Sequence, residues 1–366
     1  MNYSAIEIPE GNVIKIEVDN KIIWEAPKVY GVSWNKSNTS ALTRTDRSAN
    51  FSNPVIGKGT TSGSSPFDNL YPWKDITKVT DGNNTLVRIP KFYFKWTNSS
   101  SSLKLQISNR YLPGFSISPM HADRGDGKGV RDYAYIGRYK CAASTYYSKS
   151  GYNPQRSITR ATARSKIAAL GDGYYQFDYA AFWTLRMLYL VEFADWDAIT
   201  KIALTSAPES LDAIRTGATD GMTYHTGISS DGTMMQYRYV ENPWTTLLEW
   251  CDGIYFTTSS VYIVKNPNNF SDSANGTKIC SKFTSYGFIK NWEVPTVTGY
   301  EYALFPNEIT SSSGYIKDGY YPASGTVLYT GSSRSPFEVH GPFFLYCDFV
   351  ATSTSSSIGC RVMKLP

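Results

Sequence analysis

The stretch Tyr179 to Leu204 constrains the fold more than any other part of the chain. Within AAFWTLRMLYLVEFADWDAITKIA, Phe182, Leu185, Tyr189, Phe193 and Trp196 recur three and four residues apart. That spacing places them on one side of an α-helix, whose wide apolar face has to be buried against other elements. The aromatic stripe is therefore expected in the core. Upstream, Ser157 to Leu170 carries a second helical signal, with a capping residue, an alanine-rich interior and Gly171 as terminator. The rest reads as short strands, among them Thr85 to Ile89, Phe92 to Trp96 and Leu103 to Ile107, and Gly- and Ser-punctuated strands run from Asn242 to the end. Two central helices within irregular antiparallel β structure, preceded by a small N-terminal β region, predict an α+β fold.

The composition bounds the function classes. Of 366 residues, 41% are apolar and 15% aromatic, enough to bury a sizeable core, while only 18% are charged, against about 25% in an average domain. The surface must then rely on Ser, Thr, Asn and Tyr. Tyrosine, present 28 times, offers large contact area with little rotamer entropy to lose, which suits an adhesive surface. The net charge of +5 comes without any basic run, so nucleic acid is not an expected partner. No apolar stretch is long enough for a membrane span, and the start MNYSAIEIPEGNVIKIEVDN has neither a basic n-region nor an apolar h-region. The expectation is a soluble protein without membrane insertion or secretion signal, reaching the outside of a cell by lysis or a dedicated exporter. The five cysteines form no CxxC pair, which argues against zinc. Reduced packing thiols are expected, although Cys347 and Cys360 could face each other near the C-terminus.

Three segments follow from the pattern. Residues 1–27 read as a small β unit for attachment or oligomerisation, with Asn12 to Val18 and Lys21 to Trp24 as strands around Asp19-Asn20. Residues 28–84 are a loop-rich β region containing NLYPW (Asn69 to Trp73), and residues 85–366 form the main domain. The chain closes in GPFFLYCDFVATSTSSSIGCRVMKLP (Gly341 to Pro366), two strand-like runs around a Ser/Thr turn, which reads as a terminal β-hairpin displaying aromatic side chains. Alternation places Phe343 and Leu345 on one face and Phe344 and Tyr346 on the other. One of these faces is core, and the residues alone leave open which.

The run RIPKFYFKW (Arg88 to Trp96), LPGFSISPMH (Leu112 to His121), YIGRYKCAAS (Tyr135 to Ser144), LRMLYLVEFADWD, YRYVENPWTTLLEWCDGIYF (Tyr237 to Phe256), GPFFLYCDF and SSIGCR resembles phage tail proteins with a C-type lectin fold of the formylglycine-generating-enzyme-like branch. Phage tropism determinants and the variable proteins of diversity-generating retroelements are similar in plan. The resemblance covers Thr85 to Pro366, and the N-terminal portion resembles the attachment region of short tail fibres. It implies a virion receptor-binding protein, a homotrimer held to other phage tail proteins by its N-terminus, that recognises a bacterial surface protein or glycan. The implied ligand-facing residues are Tyr320, Tyr321, Ser333, Arg334, His340, Phe343, Phe344, Tyr346 and Asp348, with Ile358 and Arg361 as scaffold. The enzyme branch depends on a closely spaced copper-binding cysteine pair. Cys347 and Cys360 sit in different strands, so neither oxidase activity nor copper is expected.

Other chemistries find little footing. The EPN, QPD and WND signatures of calcium-dependent sugar binding are missing, and ENPW (Glu241 to Trp244) and NWEVP (Asn291 to Pro295) read as turn residues with buried tryptophans. HADRGDGKG (His121 to Gly129) lacks the spacing of a calcium loop and reads as a solvated loop; its Arg124-Gly125-Asp126 tripeptide carries little weight. A glycan hydrolase needs two converging carboxylates, and nothing in the spacing of Glu293, Glu301, Glu308, Asp318 and Glu338 shows convergence. His225 and His340 read as hydrogen-bonding or surface residues. No catalytic residue, metal or cofactor is expected. The alternatives are an envelope-glycan-degrading or oxidase-like enzyme on the same fold, or a virion decoration protein that binds no receptor.

Overall fold

A computed structural model describes residues 3–7, 15–18, 21–37, 39–202, 210, 214–273, 275–322, 326–332 and 341–366; up to residue 24 only the backbone is described. Among the described residues the fold is mostly β-sheet, with 34% strand against 11% helix in three helices, arranged in several sheets of which one curls into a half-barrel. This corrects the α+β expectation with two central helices.

The correction has a local cause. The first helix, α1 (Arg160–Ala168), is short, and its cap is Thr159, whose hydroxyl accepts from the Thr162 N–H at 3.2 Å. Helix α2 (Tyr179–Phe193) starts at Asp178, whose carboxylate accepts from the Ala181 N–H at 2.8 Å. It stops at Ala194, which turns left-handed at φ 53° with its N–H on the Leu190 carbonyl. Asp195 then accepts from the Asp197 N–H, and Asp197 from the Thr200 N–H, both at 3.0 Å, starting the one-turn helix α3 (Ala198–Ile202). The FADWD sequence thus carries both a stop and a restart. The expected stripe of Phe182, Leu185, Tyr189, Phe193 and Trp196 is buried, but so is every other residue of α2. A helix buried all round is enclosed by its neighbours; here these include the strands Val29–Trp34, Leu103–Ser108 and Leu248–Phe256.

Strands Tyr3–Glu7, Lys15–Val18 and Lys21–Glu25 form a three-stranded N-terminal sheet. Strands from residues 28–84 pair with later ones: Val29–Trp34 with Leu103–Ser108, Thr77–Asp81 with Asn84–Pro90, and Gly57–Lys58 parallel to Gly227–Ile228. The largest sheet, nine-stranded, runs in the order Thr277–Ser281, Ser260–Ile263, Leu248–Phe256, Val327–Thr330, Leu345–Tyr346, Gly319–Tyr321, Gly287–Glu293, Phe305–Thr310, with Ile358–Gly359 parallel to the start of Leu248–Phe256.

The C-terminal hairpin does not form. Leu345–Tyr346 lies in the nine-stranded sheet, whereas Val362–Lys364 lies between Tyr133–Gly137 and Tyr174–Gln176 in another. The Ser/Thr segment leads to Ile358–Gly359, still in the nine-stranded sheet, and the chain crosses to the other sheet only at Cys360 and Arg361, because each run finds its hydrogen-bond partners far away in sequence. Cys347 and Cys360 accordingly line different apolar clusters, and all five cysteines are free and buried.

Candidate functional site

Register in the nine-stranded sheet builds an aromatic ladder. Tyr346 is opposed by Tyr321 on one neighbouring strand and by Tyr329 on the other, so the three side chains project from the same face. Tyr346 stacks on Tyr321 at 5.2 Å between ring centroids and 18° between planes, and on Tyr329 at 4.8 Å and 25°. Tyr286 extends the row beyond Tyr321 at 6.2 Å and 22°, and Phe349 closes the other end, 5.2 Å from Tyr329 and 6.1 Å from Tyr346. Phe344 packs against the row, 5.7 Å from Tyr321 and 5.6 Å from Tyr346. Such pairs contribute about 0.5–1.5 kcal/mol each beyond their buried area, so the row is self-supporting.

Its accessibility is graded. Tyr329 and Phe344 are buried, Tyr321, Tyr346 and Phe349 half-buried, and Tyr286 is 75% exposed. Rings stacked on both sides can offer solvent only their edges. Tyr286, which among the described residues has Tyr321 as its one ring neighbour, has an aromatic face to offer. Burial raises the Tyr346 phenol pKa above its ordinary value, and the charge of Asp348 raises it further, so the hydroxyl stays protonated and donates to Asp348 Oδ2 at 3.4 Å.

At the exposed end lies an open groove of about 480 Å³ lined by Tyr286, Gly287, Phe288, Ile309, Thr310, Ser311, Gly319 and Tyr321. Its walls come from Gly287–Glu293, which pairs with Phe305–Thr310 on one side and Gly319–Tyr321 on the other. Gly287 is required at this corner: its φ is 154°, and a Cβ there would lie 2.8 Å from the Thr310 carbonyl.

The residues implied for the ligand face divide. Tyr321, Tyr346 and the exposed Asp348 lie along the ladder, with Phe344 packed against it. Tyr320 and Phe343 are fully buried: the Tyr320 hydroxyl donates to the Phe283 carbonyl at 2.7 Å, and Phe343 packs 4.8 Å from Trp196 and 6.1 Å from Trp183. The face of Phe343 and Leu345 is therefore core. Ser333, Arg334 and His340 lie outside the described residues. Tyr286, Tyr329 and Phe349 were not singled out from the sequence, since only strand register brings them to Tyr321 and Tyr346. Ile358 and Arg361 are buried, Arg361 at the centre of a hydrogen-bond network.

Other candidate residues are built into the scaffold. His225 Nε2 lies 2.9 Å from Asp68 and 3.0 Å from Arg238 Nη1. The HADRGDGKG loop is less solvated than expected: His121 is fully buried between the Ser118 hydroxyl and the Ile89 carbonyl, and burial lowers its pKa to about 4, so it is neutral. Arg124 forms a buried ion pair with Asp178 at 2.5 Å, and Asp126 pairs with Arg131, so the tripeptide is not displayed. Trp244 and Trp292 are buried, as expected of ENPW and NWEVP, but Asn291 to Glu293 continue the strand Gly287–Glu293 instead of forming a turn.

The carboxylates have separate duties. Asp318 is buried, which pushes its pKa well above the ordinary value, and it accepts from the Gly341 and Phe343 N–H groups. Glu301 accepts from the Gly299 N–H and the Ser116 hydroxyl, and Glu308 pairs with Lys290. Glu338 lies outside the described residues. Among the described residues no group of three His, Cys, Asp or Glu side chains is placed to hold a metal ion, and no helix is long and apolar enough to cross a membrane. No protein-family model matches the chain, and no curated protein is significantly similar to it.

Proposed function

We propose that this protein is a receptor-binding component of a phage tail that recognises a bacterial surface molecule by contact, through the tyrosine face of its nine-stranded sheet. The observation that carries the reading is the ladder Tyr286–Tyr321–Tyr346, which leads from buried rings to a 75% exposed tyrosine beside an open groove. A rigid row of aromatic rings loses little entropy on contact, and tyrosine anchors are enriched at interaction sites. The tail assignment rests on the resemblance of the motifs from Arg88 to Arg361.

Binding of the fluorescently labelled chain to host cells tests it. Tyr286→Ala and Tyr321→Ala are each expected to weaken binding about tenfold, the scale of one aromatic anchor at about 1.4 kcal/mol. Tyr111→Ala, which removes a tyrosine 65% exposed and packed on Tyr93, serves as the control and leaves binding unchanged. A double Tyr286/Tyr321 variant that is folded and binds like the wild type would refute the proposal.

A further inference from the structure

We infer that the groove beside Tyr286 takes a neutral pyranose ring of a surface glycan, stacked on the aromatic face of Tyr286. The inference rests on the receptor-binding reading and names the chemistry of the occupant.

Three properties of the groove converge on this ligand. The first is the platform. The Tyr286 ring stacks on Tyr321 with centroids 6.2 Å and planes 22° apart, and it remains 75% exposed, so it presents an open aromatic face. A single accessible aromatic face matches the C–H face of a sugar ring, which is apolar on that side and hydroxyl-rimmed around it.

The second is the polar complement. Thr310, whose Oγ1 accepts from the Ser312 N–H at 3.1 Å and so does not spend its O–H in that bond, and the exposed Ser311 both line the groove. Hydroxyls both donate and accept, as sugar hydroxyls do. Phe288 and Ile309 supply apolar lining, and Gly287 and Gly319 leave the floor free of side chains.

The third is charge. Among the described residues, the eight that line the groove include no Asp, Glu, Lys, Arg or His. A uronate or phosphate entering the groove would lose hydration without gaining an ion pair, which is costly. A neutral ring meets no such penalty. The volume of about 480 Å³ falls within the roughly 300–1,000 Å³ of small-ligand sites.

Host-cell binding of the full chain supplies the test. Periodate, which cleaves the vicinal diols of sugars, is expected to abolish wild-type binding, and protease treatment of the cells to leave it intact. Neutral polysaccharide purified from the host envelope should compete, and the acidic fraction should not. Tyr286→Phe, which keeps the ring, should bind within about threefold of wild type, whereas Tyr286→Ala loses about tenfold. Binding that depends on Tyr286 yet survives periodate and falls to protease would overturn the sugar assignment and leave the receptor face standing. Competition by the acidic fraction alone would overturn the neutral assignment. Binding indifferent to both Tyr286→Ala and Tyr321→Ala would instead remove the receptor reading beneath it.

Discussion

Arg361→Ala is expected to cost about 3–5 kcal/mol of folding stability, the range for breaking a buried ion pair by removing one partner. Arg361 is 1% exposed and uses every arm of its guanidinium. Nε meets the Glu249 carboxylate at 3.0 and 3.2 Å, Nη1 donates to the Gly137 and Arg138 carbonyls, and Nη2 to those of Glu241 and Asn242. Because Glu249 stands in Leu248–Phe256 and Gly137 ends Tyr133–Gly137, one side chain ties together two sheets. In the alanine variant Glu249 keeps Lys140, at 2.6 Å, and the carbonyls lose the guanidinium, although that of Arg138 keeps the Glu241 N–H at 2.8 Å. Arg361→Lys is expected to recover less than half of the loss, since a single ammonium cannot span the fork geometry. Urea denaturation reads both, and a loss below about 1 kcal/mol for Arg361→Ala would contradict the account.

Asp252→Ala is expected to be comparably severe. Asp252 is fully buried and receives Arg160 Nη2 on one oxygen and Arg164 Nε on the other, both at 2.6 Å. Arg160 is itself fully buried, stacked 4.6 Å from the Tyr255 ring. Removing the carboxylate leaves that charge in the core with only the Ser271 carbonyl at 3.4 Å and a distant Asp272 at 4.0 Å, whereas Arg164 retains Asp272 at 2.8 Å. Burial by itself raises the Asp252 pKa, but Arg160 and Arg164 outweigh it and hold the carboxyl below its ordinary value; Arg361 and Lys140 do the same for Glu249. A carboxyl whose pKa is depressed by folding contributes stability that is present above its unfolded pKa of about 4 and is lost as pH falls through the folded value. The wild type should therefore weaken steeply below about pH 4, and Asp252→Ala should show a shallower acid limb from a lower starting stability. An unchanged acid limb together with a loss under about 1 kcal/mol would contradict this.

What was legible in the sequence is local. The aromatic stripe of α2 announced burial, and the alternation through Phe343 to Tyr346 correctly separated two faces. Deciding between those faces required Trp183, Trp196 and Trp292, which pack on Phe343 from distant segments. The apparent length of the second helix misled because helical period does not reveal a left-handed stop at Ala194, although Asp195 and Asp197 are capping residues in plain view. The balance of strand over helix was obscured by strands of two to four residues, such as Leu345–Tyr346 and Val362–Lys364, whose partners lie far off in the chain. The same long-range register gathers Tyr286, Tyr321, Tyr329 and Tyr346 into a ladder, of which the resemblance pointed to Tyr321 and Tyr346 while nothing in the sequence pointed to Tyr286 and Tyr329.

The central claim, that the tyrosine face is the host-recognition surface, is tested most directly by adsorption competition. Host cells are saturated with the purified chain, and the adsorption of phage carrying this protein is then measured. The wild-type chain should block adsorption in proportion to its occupancy, and a folded Tyr286→Ala/Tyr321→Ala double variant at the same concentration should not. Equal blocking by both proteins, or free adsorption onto cells saturated with the wild type, would contradict the claim.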